Sequence, residues 1–186
     1  MKILHASPED MAGIFALHKT CHIDYIRPED RPDGFVTTNF TWDQLERLIS
    51  VERGVIIAKN QGQILGYALA APWKFWSEWP FFAHMIQELP KFQYQGNEIT
   101  TENSYQYGPI CVHRSVRGTG VFEELFYSSL ASMKERYPIM ATFINQINPR
   151  SYAAHTRKAG MDEVGTFSFN QNQYYLMACF TDCQQA

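Results

Sequence analysis

Tyr107-Gly-Pro-Ile-Cys-Val-His-Arg-Ser-Val-Arg-Gly-Thr-Gly-Val-Phe-Glu-Glu-Leu-Phe126 is the stretch that decides the fold. An apolar run, Ile110-Cys111-Val112, meets a short basic loop, Arg117-Gly118-Thr119-Gly120, and a periodic helix follows at once. A strand, a glycine loop and a helix in that order aim backbone N–H groups at an anion. The first turn of a helix has unpaired donors and partial positive charge. Gly118 and Gly120 can take positive φ and leave room for close approach. The loop therefore reads as a phosphate cradle, and against that stands an ordinary strand-to-helix turn. It is not a P-loop, since no Gly-Lys-Ser/Thr follows. It is not a dinucleotide fingerprint either, since a third glycine and the acidic residue after the next strand are missing.

Working outward, a second segment reads Asn148-Pro-Arg-Ser-Tyr-Ala-Ala-His-Thr-Arg-Lys-Ala-Gly-Met161, directly after the apolar run Ile139–Ile144. Together the two segments resemble the GNAT acyltransferase superfamily. Its coenzyme A pyrophosphate loop is written Gln/Arg-x-x-Gly-x-Gly/Ala. Arg117 and Gly120 fit the first and fourth positions, and Phe122 stands where a small residue is usual. Its later motif, Asn-x-x-Ser/Ala-x-x-x-Tyr/His followed by Gly-Phe, is matched by Asn148, Ser151, His155 and Gly160-Met161, with the glycine one residue late. The resemblance covers residues 105–180 by motif and the N-terminal half by pattern alone.

Composition bounds the rest. A chain of 186 residues, 45% hydrophobic and 19% charged, suits one globular domain over 1–186. A net charge of −3 without a basic block argues against nucleic acid as main partner. No apolar run is long enough for a membrane span. The four cysteines lack zinc-like spacing, so no metal is expected, and with no signal peptide the default is a cytoplasmic, reduced protein.

Lys2–His5 reads as a strand. Ser7 and Pro8 open a helix with Met11, Ile14, Phe15 and His18 on one face. Residues 27–40 form a loop, and Thr41-x-x-Gln44 starts a second helix. Val55–Lys59 and Gln63–Ala71 make a hairpin about Asn60-Gln61-Gly62. Tyr105–Val112, a helix from Val121, the Ile139 strand, the Pro149 helix and a hairpin of Val164–Phe169 with Gln173–Cys179 complete the order. That order is the GNAT one. It implies an α/β (α+β) fold: a mixed, mostly antiparallel sheet splayed open in the middle, with helices on both faces. The aromatic-rich stretch 72–103 is an insertion, expected as one irregular helix plus loops. It reads as added core, a lid over the acceptor, or an oligomer interface that would make a homodimer.

The resemblance implies a function. Acetyl-CoA would be the cosubstrate, and an unidentified primary amine of a small molecule or peptide would take the acetyl group by direct attack in a ternary complex. The backbone of Ile110, Cys111 and Val112 would pair with the pantetheine, and their side chains read as core. The amides from Arg117 through Gly118, Thr119, Gly120, Val121 and Phe122 would hold the pyrophosphate, with charge from Arg117 and help from Arg114. Asn148 is either a helix N-cap or a pantetheine partner. Ser151 and His155 share its helix face, and His155, as an imidazolium, would protonate the leaving thiolate, with Tyr152 as its understudy. Glu102 is the choice for general base, with Glu98, His84, Tyr105 and Tyr107 as further options. The rivals are a non-catalytic acyl-CoA-binding module and a partner-binding domain with no coenzyme site.

Overall fold

The computed structural model describes residues 1–182; Cys183 lies outside the described residues. Seven strands form one sheet in the order β1-β2-β3-β6-β7-β9-β8. They are β1 (Lys2–His5), β2 (Val55–Asn60), β3 (Gln63–Ala71), β6 (Ser104–Val112), β7 (Ile139–Asn145), β8 (Asp162–Phe169) and β9 (Asn172–Phe180). Every neighbouring pair is antiparallel except β6 and β7, which run parallel. The fold is the expected mixed α+β sheet with helices on both faces.

Alternation along the strands sorts the core into two layers. Ile57, Tyr67, Leu69 and Ala71 face helices α1 (Met11–Cys21) and α2 (Trp42–Ser50). Ile56, Ala58, Ala68 and Ala70 face helix α5 (Val121–Met133). The residues on the α5 side are small for a reason. At Gly66 an added Cβ would sit 2.7 Å from Leu125 Cδ1, so the helix lies nearly on the sheet backbone. Short-range signals fix the helix starts. Thr41 accepts from Gln44 N–H at 3.2 Å, and the Gln44 side chain accepts from Thr41 N–H at 2.8 Å.

The insertion is more ordered than its composition suggested. It holds two short helices, α3 (Trp73–Trp76) and α4 (Pro80–Glu88), and a small hairpin of β4 (Gln93–Tyr94) and β5 (Asn97–Glu98). Trp73, Phe75, Trp76 and Phe82 are buried. Phe81 packs on Phe143 with ring centroids 4.3 Å apart and on Tyr174 at 4.9 Å. These rings are added core over the β7-β9-β8 half of the sheet.

The feature that positions the site is the parting of β6 from β7. The two strands pair only from Ser104 to Gln106, against Ile139 to Ala141. Then β6 bulges: its register on β3 shifts between Ala68 and Ala70, opposite Gly108-Pro109. Pro109 has no N–H for a ladder, and Gly108 has φ +102. The Tyr107 carbonyl turns to side chains instead, accepting from Thr142 Oγ1 at 2.6 Å and from Gln106 Nε2 at 2.5 Å. Beyond this point the β7-facing edge of β6 has no strand partner among the described residues, and a cleft opens there.

Candidate active site

A cleft of about 380 Å³ lies between the free edge of β6, the loop before α5 and helix α6 (Pro149–Arg157). Ile110, Cys111 and Val112 line it, with Arg117 and Gly118 from the loop, Phe122 from the first turn of α5, the α6 N-cap Asn148, and Ser151 and His155 from α6. The structure thus brings both sequence segments together around one opening. A narrower cleft of about 60 Å³ continues between β6 and β7, lined by Gly108, Pro109, Thr142, Phe143 and Asn145. Ile110, Asn148, Ser151 and His155 border both.

The loop has the geometry an anion cradle needs. Gly118 has φ +80 and Gly120 has φ +89, and a Cβ added to either would meet nothing within 4 Å. Gly120 is the N-cap of α5 in left-handed conformation and gives the first turn no side-chain cap. Thr119, Gly120 and Val121 do not themselves line the cleft. The Thr119 hydroxyl donates to the Val116 carbonyl, and the Val121 side chain is core, so both have only backbone to offer a ligand. Phe122 turns inward, edge-on to His155 with centroids 5.2 Å apart. That is how the loop accommodates a ring where a small residue is usual.

Charge is concentrated here although the chain is net acidic. Arg117, Arg150, Arg157 and Lys158 line the wide cleft, and Asp33 is its single acid among the described residues. Arg117 is half-buried. Desolvation, then the neighbouring Arg150 and Arg114, pull its guanidinium below the ordinary value against the pull of Asp33. Cations packed this closely favour an anionic ligand. Arg150, Arg157 and Lys158 carried no signal in the sequence beyond being basic residues in α6 and just past its end.

Asn148 is an N-cap: its Oδ1 accepts from Ser151 N–H at 3.2 Å. Its Nδ2 donates to the Phe35 carbonyl at 3.1 Å. His155 is 4% exposed. Its Nδ1 lies 2.8 Å from the Ser151 carbonyl oxygen, which makes Nδ1 the protonated nitrogen and leaves Nε2 with a lone pair. Desolvation pushes its pKa down to about 4, so the ring is neutral near pH 7. The imidazolium expected from the sequence is not the resting form.

Several candidates fall away from the cleft. Glu102 sits fully exposed on the turn before β6, accepts from Thr101 Oγ1 at 2.8 Å and lines neither cleft. It stands at the end of β6 opposite the glycine loop, which is why nearness in sequence misled. Glu98 is exposed on β5, and His84 Nε2 is 2.9 Å from the Ser168 carbonyl on β8. Tyr105 is core, and Tyr152 donates to Glu163 at 2.8 Å. Tyr107 borders the narrow cleft, but its phenol is buried without a hydrogen-bond partner among the described residues, and its ring packs edge-on to Phe126. His155 and Tyr107 are the only titratable residues lining the narrow cleft, which has no carboxylate among the described residues.

The largest departure from the sequence reading concerns the cysteines. Cys21 and Cys111 form a disulfide where four reduced thiols were expected. Both line the wide cleft.

No protein-family model matches the sequence, and no curated protein matches it by sequence. Solved structures do match. YncA from Salmonella typhimurium, described with its cofactor acetyl-CoA, is 14% identical, with 100% of this chain and 96% of that one covered at a TM-score of 0.64. A GNAT superfamily phosphinothricin acetyltransferase from Sinorhizobium meliloti, in complex with acetyl-CoA, is 16% identical over 96% of this chain and 87% of that one, with a TM-score of 0.63. A ribosomal-protein-alanine N-acetyltransferase from Brucella melitensis is 18% identical over 97% and 99%, with a TM-score of 0.61. At these identities the likeness is one of fold: the chain has a GNAT-like fold.

Proposed function

We propose that the chain is an acetyl-CoA-dependent N-acetyltransferase acting on a primary amine. One observation carries the reading. The unpaired edge of β6, the open glycine loop at the N-terminus of α5 and a cluster of four cations meet in one cleft. A ligand with a polyanionic end and an amide-bearing arm suits all three. Its phosphates fit the loop amides and arginines, and its arm can add to the strand edge by backbone hydrogen bonds. The acetyl-CoA named with two structures of this fold is such a ligand.

The narrow cleft is then the place for the thioester. A backbone N–H of the β6 bulge would polarise its carbonyl. The amine nitrogen forms a bond to the carbonyl carbon, and the carbon–sulfur bond breaks. Neutral His155 suits a shuttle better than a plain acid: its Nε2 accepts the proton that the attacking nitrogen sheds and returns it to the departing thiolate. With no carboxylate in the narrow cleft, the acceptor must arrive as the free amine.

The absence of a carboxylate also favours a second reading, a module that binds acyl-CoA without turning it over. Two measurements separate the readings. Acetyl-CoA should raise Tm clearly, about 2.7 kcal/mol of stabilisation at a hundredfold excess over Kd, while NADH and ATP give little. A screen of amines followed by thiol release should find an acceptor. Equal shifts with all three ligands would refute the coenzyme site. Binding without release for every amine would leave the binding module.

A further inference from the structure

The segment from His22 to Thr41, between α1 and α2, runs across the wide cleft as a strap. At its root Ile23 N–H donates to the Val36 carbonyl and Val36 N–H to the Cys21 carbonyl, each at 3.0 Å. Further out it is tied to the residues that would hold the coenzyme. Arg117 Nη1 donates to the Asp33 carbonyl at 3.0 Å, Arg150 pairs with the Asp33 carboxylate at 3.1 Å, and Asn148 Nδ2 donates to the Phe35 carbonyl at 3.1 Å. Coenzyme phosphates and pantetheine would compete for these same donors. These outer ties are two hydrogen bonds to backbone carbonyls and one exposed ion pair, which exchange readily against a charged ligand. The Cys21–Cys111 disulfide is different. It joins the last residue of α1, where the strap begins, to the middle of the strand edge the coenzyme would use.

We propose that Cys21 and Cys111 are a thiol–disulfide lock on the coenzyme cleft, a reading that rests on the coenzyme site proposed above. In the disulfide form the strap is anchored covalently to β6, and Arg117, Arg150 and Asn148 stay engaged with it. A dithiol reductant opens the lock. One of its thiolates attacks a sulfur of the pair, giving a mixed disulfide and one cysteine thiolate. The second reductant thiol then displaces the other cysteine and leaves as a cyclic disulfide. Two electrons and two protons pass from the reductant to Cys21 and Cys111. Both cysteines are buried, and Cys21 borders the wide cleft and also a neighbouring polar cleft lined by Arg27, Asp30 and His113, so the reductant must approach from one of these. Once freed, the strap keeps its root, where Val36 and Phe40 are buried, while around Asp33 and Phe35 its polar ties named above are ones that the coenzyme can displace.

The test equilibrates the whole protein with reduced or with oxidised dithiothreitol. Alkylation and peptide mapping read the state of Cys21 and Cys111, and calorimetry gives Kd for acetyl-CoA, which has no free thiol. We expect the pair to be alkylated only after reduction, and acetyl-CoA to bind at least tenfold more tightly to the reduced form. Cys21→Ser should bind alike in both buffers, with the tighter affinity. Equal Kd for the two wild-type forms overturns the lock and leaves the coenzyme site standing. So does a pair that is alkylated equally in both buffers. Failure of both forms to bind acetyl-CoA refutes the coenzyme site, and the lock falls with it.

Discussion

Acid should destabilise this protein well above the range where carboxylates titrate, because two histidines are buried neutral. His155 and His18 are each 4% exposed. Desolvation is the leading cause that lowers each from 6.5 to about 4, and at His18 the charge of neighbouring His22 adds to it. The unfolded chain keeps the ordinary value, so between these limits it binds protons that the native state does not. Stability is therefore complete above pH 6.5 and is lost as pH falls towards 4. Applying linkage to one such ring gives a loss of about 2 kcal/mol between pH 7 and pH 5, or about 4 kcal/mol for the two together. That is a large share of a typical 5–15 kcal/mol stability. Urea unfolding at half-unit steps from pH 7.5 to 5 measures it directly. The free energy should fall by roughly 1.4 kcal/mol per pH unit for each proton taken up, approaching two protons near pH 5. Removing either ring, by His18→Asn or His155→Gln, should halve that slope whatever it does to the absolute stability. A flat profile down to pH 5, or imidazole NMR signals of His18 and His155 that titrate near 6.5 in the folded protein, would refute the buried neutral pair.

Other outcomes follow from the same geometry. His155→Ala should lower kcat by ~10²–10⁴-fold with little change in acetyl-CoA affinity, and His155→Tyr should recover part of the rate with a shifted pH profile; near-normal kcat for the alanine variant would remove His155 from the chemistry. Gly120→Val places a β-branched residue at φ +89, which costs about 1–3 kcal/mol, and calorimetry should show acetyl-CoA affinity falling sharply in a protein whose circular dichroism remains folded. Gly54→Ala should be far worse for folding, because its Cβ would lie 1.6 Å from the Ala70 carbonyl oxygen; a thermal melt within a few degrees of wild type would show that the β2 entry is slack. Glu102→Gln should leave kcat unchanged with the best acceptor, since Glu102 lies outside both clefts.

Much of the fold was legible because its signals are local. The hairpin turns, the Thr41 capping box and the Asn148-Pro149 helix start depend on residues a few positions apart; each formed where the sequence placed it, the turns tightened to Gln61-Gly62 and Asn170-Gln171. The conformation of the glycine loop was legible for the same reason, since glycines between an apolar run and a periodic helix specify their own backbone. The Gly108-Pro109 bulge was visible as a glycine and a proline inside a strand and went unread. The insertion was misjudged in detail because its aromatic rings are fixed by partners on β7, β8 and β9, far away in sequence.

What the sequence determined by itself was the order of elements, the sheet they must form and the two segments that meet at the cleft. Periodicity, caps and turn residues set these within a few residues of chain. Only the tertiary structure decided which cations gather around the cleft, that Glu102 stands at the wrong end of its strand and that His155 is neutral. It also decided that Cys21 and Cys111 are bonded across 90 residues of chain. Each of these depends on burial and on contacts between distant residues, and those quantities exist only after the chain has closed on itself.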